Sequence, residues 1–153
     1  MKRHLFLKSV VISQRNVNLK ATDIPFIKYI GIKEKDRELS LNFKENVLNH
    51  IKTIHASAQF TLAETQSGIH LQSLFPELED KVIPVLRDAQ IKYKKPAQEK
   101  IIAFASADEE AIEKFKGQFD KKGRGSLQIE VKIKDINDVL TCQATFTWFV
   151  QAL

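Results

Sequence analysis

The longest helical pattern in the sequence is ASAQFTLAETQSGIHLQSL, residues 56–74. Small and apolar side chains recur in it at steps of three and four residues, the spacing of one face of an α-helix. These residues are Phe60, Ala63, Ser67, Leu71 and Leu74. Pro76 follows shortly after, and a proline cannot continue a helix. The stretch therefore predicts one long helix over about residues 56–74.

The sequence after Pro76 is dominated by strand patterns. Strands are predicted over residues 82–93, 100–106, 127–134 and 139–150. The third of these alternates apolar and polar side chains almost without exception, which is typical of a half-buried strand. A short helix is predicted over residues 108–115, and residues 121–125, KKGRG, are predicted to form a turn.

The sequence before the long helix predicts a short helix and a β-hairpin. Thr22 or Asp23 is expected to cap a helix over residues 26–30 that ends at Gly31. Strands are predicted over residues 32–34 and 38–43, joined by a turn at Asp36 and Arg37. The second strand is predicted to place three apolar side chains on one face, namely Leu39, Leu41 and Phe43.

One long helix is the only predicted element large enough to cover the apolar face of such a sheet. The predicted fold class is therefore α+β, an antiparallel β-sheet wrapped around one long central α-helix. Residues 1–21 are predicted to be an N-terminal extension, and residues 22–153 a single domain.

The composition limits the classes of partner and the compartment. A net charge of +5 favours an anionic partner, such as a phosphate-bearing molecule. A nucleic acid is not expected, because the basic residues are dispersed and no exposed aromatic residues interleave them. The single cysteine, Cys142, forms no intramolecular disulfide and fits a cytoplasmic protein. The N-terminus only briefly resembles a signal peptide, and no membrane span is predicted.

The segment from Asn49 to Glu64 resembles the hotdog-fold acyl-CoA thioesterases of the phenylacetic-acid-pathway type. Members of that family have an Asn, then five residues, then His-Gly-Gly, with an acidic residue nine positions after the His. Asn49, His55 and Glu64 reproduce this spacing without a gap. Residues 24–32, IPFIKYIGI, resemble the family's opening segment. Ala56 and Ser57 replace the two glycines, which reshapes the thioester pocket if the backbone approaches the ligand there.

The resemblance implies that the protein is an acyl-CoA thioesterase with the hotdog fold. Glu64 is then the catalytic carboxylate, either as a general base that activates water or as a nucleophile. Partial burial on the helix is expected to raise its pKa, which suits a base. The backbone N–H of Ala56 is expected to serve as an oxyanion donor, Asn49 to orient water or substrate, and His55 to assist or to play a structural role.

The predicted substrate contacts lie on the long helix and at the two basic turns. They are Ser57, Phe60, Gly68, Lys94, Lys95, Lys122 and Arg124, the last four toward the phosphates of coenzyme A. No metal site and no cofactor are expected, because coenzyme A enters as part of the substrate. Cys142 is expected to be a small buried side chain.

The hotdog active site is usually shared between subunits, so the resemblance implies a homodimer or a homotetramer. In such an assembly Glu64 of one chain faces Asn49 and Ala56 of its partner. Two alternatives remain open: a non-catalytic hotdog module that binds an acyl thioester or a protein, and a dehydratase or hydratase of the same fold. The acyl group and its carrier, coenzyme A or acyl carrier protein, are not determined by the sequence.

Overall fold

The computed structural model describes residues 20–153, so most of the predicted N-terminal extension lies outside the described residues. The first helix, α1 (Pro25–Ile30), ends at Gly31, whose φ of 87° is the left-handed conformation that glycine adopts without strain. Its start differs from the prediction, since Ile24 is the cap and makes no side-chain capping bond. Thr22 and Asp23 instead belong to a 3₁₀ turn, Ala21–Asp23.

The predicted hairpin is present and forms one edge of the sheet. Strands β1 (Lys33–Lys35) and β2 (Glu38–Leu41) are joined by Asp36 and Arg37, which have φ of 51° and 66°. Two positive φ values in a two-residue turn match the twist of a hairpin. Leu39 and Leu41 are buried as predicted. Phe43 was wrongly predicted on that face, because it follows the end of β2 and is exposed.

The central helix, α2, spans Ala56–Leu74 as predicted. It packs against strands of the sheet along its length and is buried on almost every side, so Gln59, Thr61 and Gln66 are as buried as its leucines. The predicted single apolar face is therefore too narrow a description. Gln66 accepts a hydrogen bond from the Leu39 N–H (2.8 Å) and donates one to the Arg37 carbonyl (3.0 Å), which ties the helix to the hairpin.

Four longer strands and a second long helix complete the domain. The strands are β3 (Val82–Tyr93), β4 (Ile101–Ser106), β5 (Arg124–Asp135) and β6 (Leu140–Ala152). Helix α3 (Glu109–Lys122) extends about two turns beyond its predicted end at residue 115. Asp108 caps its start by accepting a hydrogen bond from the Ala111 N–H. The predicted turn at residues 121–125 is thus wrong: α3 continues through Lys122, Gly123 ends it, and Arg124 begins β5.

All six strands form one antiparallel sheet in the order β1-β2-β4-β5-β6-β3. One face of it curves around α2, and the apolar residues of β5 and β6 lie on that face. Strand β3 lies at the far edge, where only β6 pairs with it among the described strands. A bulge at Arg87 places its guanidinium 3.8 Å above the Phe149 ring, on the outer face.

The architecture is the predicted α+β fold, a sheet wrapped around one central helix. None of the helices in residues 20–153 has the length and apolar character needed to cross a lipid bilayer.

Candidate active site

The predicted catalytic carboxylate, Glu64, lies halfway along α2 on the side that faces β6. One turn before it, Phe60 packs edge-on against Phe146 of β6, with ring centroids 5.5 Å apart. One turn after it, Gly68 lies beside the ring of Trp148, also on β6. Glu64 is half-buried, and burial raises the pKa of its carboxyl above the usual value. Among residues 20–153, none forms a hydrogen bond or an ion pair with this carboxylate.

Several predicted substrate contacts share this side of α2 with Glu64. Residues 57, 60, 64, 68, 71 and 75 follow one another at steps of three and four, so they lie along one strip of the helix. We call these six positions the Glu64 strip. Ser57 and Phe60 belong to its first half, and Gly68 lies just past the carboxylate, so the structure brings these three predicted contacts onto the face of the catalytic candidate.

The first turn of α2 presents a free backbone donor. Ala56 is the first helical residue, and its N–H forms no hydrogen bond with any acceptor in the described part of the chain. The next N–H, of Ser57, donates to Nδ1 of His55 at 3.0 Å. His55 is therefore the cap of the helix, which is the structural role that the sequence left open for it. The free N–H of Ala56 and the helix dipole together favour negative charge at this position.

Asn49 stabilises the loop that leads into α2. Its Oδ1 accepts from the backbone N–H groups of Ile51 (3.1 Å) and Thr53 (3.0 Å), and its Nδ2 donates to Oγ1 of Thr53 (2.8 Å). These bonds fix the turn in which Lys52 has a φ of 60°. The bracing role that the sequence allowed for Asn49 is thus present, and one Nδ2 hydrogen remains for a ligand.

Tyr93 is a site residue that the sequence did not indicate. It is the last residue of the edge strand β3, and its hydroxyl donates a hydrogen bond to the carbonyl oxygen of Ala56 at 3.0 Å. The bond connects the edge strand to the first turn of α2, next to the free N–H of Ala56. Only the spatial pairing of β3 with β6 brings Tyr93 there, so no local pattern could have revealed it.

The predicted basic contacts form two separate groups. Lys94 and Lys95 follow Tyr93 and lie at the end of the sheet where α2 begins. Lys122 and Arg124 lie at the opposite end, because β5 begins beside Gln151 whereas Tyr93 pairs with Cys142. Nine residues of β6 separate these two positions, about 30 Å at the usual rise of a strand. Within one chain, the two groups cannot bind the same phosphate.

The chain matches one family model, described as a domain of unknown function (DUF4442), over residues 25–150. The chain belongs to this family. Among solved structures, this DUF4442 domain is similar to a protein of unknown function and probable thioesterase from Pseudomonas aeruginosa. That pair is 20% identical with a TM-score of 0.74, and the match covers 87% of this chain and 91% of the other. No protein with a curated description matches the sequence significantly.

Two further solved structures share the fold. A thioesterase from Haemophilus influenzae is 17% identical, with 86% of each chain covered and a TM-score of 0.66. A Bacillus halodurans protein, whose crystal structure contains CoA, is 22% identical with a TM-score of 0.63. That match covers 82% of this chain and 74% of the other. These likenesses confirm the predicted hotdog fold.

The remaining reactive side chains of the DUF4442 domain contribute no second centre. No three His, Cys, Asp or Glu side chains in residues 20–153 are grouped as metal ligands. Cys142 is fully buried, and burial raises the pKa of its thiol to about 11, so it stays protonated and unreactive. His70 is half-buried, and burial lowers its pKa, so its imidazole is neutral at pH 7.

Proposed function

We propose that this protein is an acyl-CoA thioesterase in which Glu64 supplies the catalytic carboxylate. The observation that carries the proposal is a half-buried carboxylate with a raised pKa and no partner in the described chain, on a helix that begins with a free N–H. A protein of similar fold binds CoA in its crystal structure, which supports a CoA thioester as the substrate class. A carboxylate whose pKa is raised toward neutral pH is a stronger base than an exposed one.

Hydrolysis then proceeds by one of two routes with the same products. In the first, Glu64 takes a proton from a water molecule whose oxygen attacks the thioester carbonyl carbon. The tetrahedral oxyanion accepts a hydrogen bond from the N–H of Ala56, and the C–S bond breaks as the sulfur receives the proton from Glu64. In the second, the carboxylate itself attacks the carbonyl carbon, the C–S bond breaks and a thiolate leaves; water then hydrolyses the resulting anhydride, regenerates the Glu64 carboxylate and supplies the proton that converts the thiolate to the thiol. Both routes yield a carboxylic acid and a free thiol.

The two reacting groups of the proposal require two subunits. Ala56 and Glu64 are eight residues apart on α2, about 12 Å along the helix axis. An oxyanion donor and a base must both lie about 3 Å from their targets on one carbonyl group. A single chain therefore cannot place both groups around one thioester, whereas Glu64 of one chain and Ala56 of another can meet if the two helices run side by side in opposite directions.

The free edge of β3 supports such a homodimer. It is a twelve-residue strand with unpaired backbone groups along one side among the described residues, and such an edge readily pairs with a second chain. Antiparallel pairing of two β3 strands makes the partner's α2 run in the opposite direction. Lys94 and Lys95 of one chain then lie at the same end of the dimer as Lys122 and Arg124 of the other. A dimer of two such dimers is compatible with the same interface, and we propose the dimer as the minimal active unit.

Mixed dimers test the shared site directly. Glu64→Gln removes the base, and Ala56→Pro removes the N–H, so each homodimer is inactive for a different reason. When the two variants are unfolded together at equal ratio and refolded, half of the resulting dimers contain one chain of each variant. Each such mixed dimer has one intact site and one site that lacks both groups. Recovery of about a quarter of the wild-type activity is then expected for a two-fold symmetric interface. No recovery from correctly refolded mixed dimers would place both groups in one chain's site and refute the shared arrangement.

A non-catalytic acyl-thioester binding module is the second candidate. Two observations favour it: Asn49 is occupied within its own loop, and Ala56 and Ser57 stand where related enzymes have two glycines. Thiol release from a panel of short, long and aromatic acyl-CoAs separates the two functions. Turnover of any member supports the thioesterase, whereas binding of acyl-CoA by the folded protein without release of thiol supports the module. A dehydratase or hydratase finds less support, because His55 already caps α2 through Nδ1.

A further inference from the structure

The inner face of β6 carries two aromatic side chains that contact α2 on either side of Glu64. Phe146 and Trp148 are two residues apart on the strand, so both point to the same face of the sheet. Phe146 is fully buried and packs edge-on against Phe60, one turn before Glu64. Trp148 is partly buried and contacts α2 one turn after Glu64. The carboxylate thus lies between two contacts of the helix with aromatic residues of one strand.

Trp148 contacts both residues that follow Glu64 by one helical turn. Its indole N–H donates a hydrogen bond to Oγ of Ser67 at 2.9 Å. Its six-membered ring lies 3.5 Å from the position that a Cβ on Gly68 would take. A Cβ in a helix points back toward the N-terminus, so this position lies over the turn that begins at Glu64. Because residue 68 is a glycine, no side chain stands between the indole ring and this turn.

Ser67 continues the connection from Trp148 to the main chain of Glu64. Its fully buried hydroxyl accepts from the indole N–H and donates to the carbonyl oxygen of Glu64 at 2.6 Å. Near the end of α2, Ser73 donates in the same way to the carbonyl of His70 at 2.7 Å, but no side chain of the described sheet donates to it. Trp148 and Ser67 together therefore tie β6 to the helical turn of Glu64.

We propose that Trp148 is a positioning residue for Glu64: its indole ring excludes water from one side of the carboxylate, and its N–H fixes the turn of α2 that carries it. The inference deepens the proposed thioesterase function and rests on it. The N–H is the only donor of a tryptophan side chain, and Ser67 accepts it, so the ring shields the carboxylate without bonding to it. A carboxylate that loses water and gains no donor becomes a stronger base.

Few other ionisable groups lie near Glu64. The inner face of β6 carries Cys142 and that of β3, which pairs with β6, carries Tyr93; burial raises the pKa of both groups. On α2 itself, His70 lies six residues after Glu64 and about 120° around the helix from it. The proposed dimer adds His55 of the second chain. Burial is the cause of the raised pKa of Glu64, and no neighbouring charge contributes to it within the described chain.

Three variants separate the effect of the indole ring from that of its N–H. Trp148→Leu removes both, Trp148→Phe keeps an aromatic ring without the N–H, and Ser67→Ala removes the acceptor while the ring remains. Two matched controls lie on the same elements. Phe149→Leu removes a ring from the outer face of β6, and Ser73→Ala removes a hydroxyl that bonds to α2 alone. Urea unfolding checks that each variant is folded.

Titration of the Glu64 carboxyl by ¹³C NMR measures the shielding without any turnover. The signal is assigned by its loss in Glu64→Gln. In the wild type, the pKa of Glu64 is expected above the ordinary value of 4.5. Trp148→Leu is expected to return this pKa toward 4.5, Trp148→Phe to keep most of the shift, and Phe149→Leu to leave it unchanged.

Fluorescence tests the proximity of the two groups in the wild type. The chain has one tryptophan, so the emission reports on Trp148 alone. A ring that lies over the carboxylate changes its emission when Glu64 ionises, with the midpoint found by NMR. This change is expected to be absent from Glu64→Gln and to persist in His70→Gln and in His55→Asn, which keeps a capping side chain.

Thiol release from acyl-CoA measures the positioning role. Loss of the hydrogen bond in Ser67→Ala is expected to lower kcat about 2- to 10-fold at unchanged KM, whereas Ser73→Ala keeps the wild-type kcat. A wild-type kcat in folded Ser67→Ala would overturn the positioning role. A Glu64 pKa that is the same in Trp148→Leu as in the wild type would overturn the shielding role, as would an emission change that survives in Glu64→Gln. A wild type that releases no thiol refutes the hydrolase, and the two titrations still decide whether Trp148 shields Glu64.

Discussion

Replacement of Ala56 by proline removes a single backbone N–H at the start of α2. Proline is well tolerated as the first residue of a helix, where its fixed φ is already helical. The residue before a proline must be extended, and His55 already has φ −58° and ψ 141°. Because the Ala56 N–H bonds to nothing in the described part of the fold, the substitution is expected to leave the free energy of unfolding unchanged or to raise it by about 0.4–1 kcal/mol.

The catalytic effect of Ala56→Pro should be far larger than its effect on stability. Removal of one oxyanion-hole donor lowers kcat by about 10²- to 10³-fold, equivalent to about 2.7–4 kcal/mol of transition-state stabilisation. We expect a loss of that size in thiol release from acyl-CoA, with urea unfolding at or above the wild-type midpoint. Ala56→Val is the control, because it adds similar bulk and keeps the N–H. A folded Ala56→Pro variant with wild-type kcat would refute the assignment of this N–H to the oxyanion.

Three further perturbations test other parts of the site. Burial raises the pKa of Glu64 in the folded state above its unfolded value, so ionisation of Glu64 destabilises the fold as pH rises between these two pKa values. Glu64→Gln removes this cost and should raise Tm at pH 8. Near pH 4, where Glu64 is protonated in the folded protein, calorimetry should show no gain in Tm. Tyr93→Phe removes the bond to the Ala56 carbonyl and should lower kcat about 2- to 10-fold at unchanged KM; an equal rise in KM would indicate a role in binding instead. Gln66→Leu leaves the buried Leu39 N–H without an acceptor and should cost about 1–3 kcal/mol, with Tm lower by about 2–4 °C per kcal/mol; an unchanged Tm would show that water replaces the amide.

The sequence predicted the elements whose signals are local. Helix α2 begins and ends where its apolar spacing and Pro76 indicated, and β3 spans the predicted residues. The turn at Asp36 and Arg37 was likewise predicted, because it lies in the short gap between two strand patterns; β1 extends one residue further than predicted, to Lys35. The length of α3 was missed because Lys121 and Lys122 next to two glycines indicate a turn, although basic residues also favour the last turn of a helix.

The sequence predicted the candidate site only in part. The position of Glu64 on α2 and the raised pKa of its carboxyl follow from helix geometry and partial burial. The contacts of Tyr93 and Trp148 with α2 were not predictable, because both depend on strands distant in sequence that meet the helix only in the folded chain. The opposite placement of Lys94 and Arg124 likewise depends on strand pairing rather than on spacing along the chain.

The most direct test of the central claim is the rate of thiol release from acyl-CoA by the wild type and by Glu64→Gln, a substitution of nearly the same shape without the carboxylate. Wild-type turnover that falls by about 10²- to 10⁴-fold in a folded variant, with its acyl-CoA affinity retained, is the predicted result. Wild-type turnover that survives in Glu64→Gln would contradict the account, because the hydrolysis would then depend on a group other than this carboxylate.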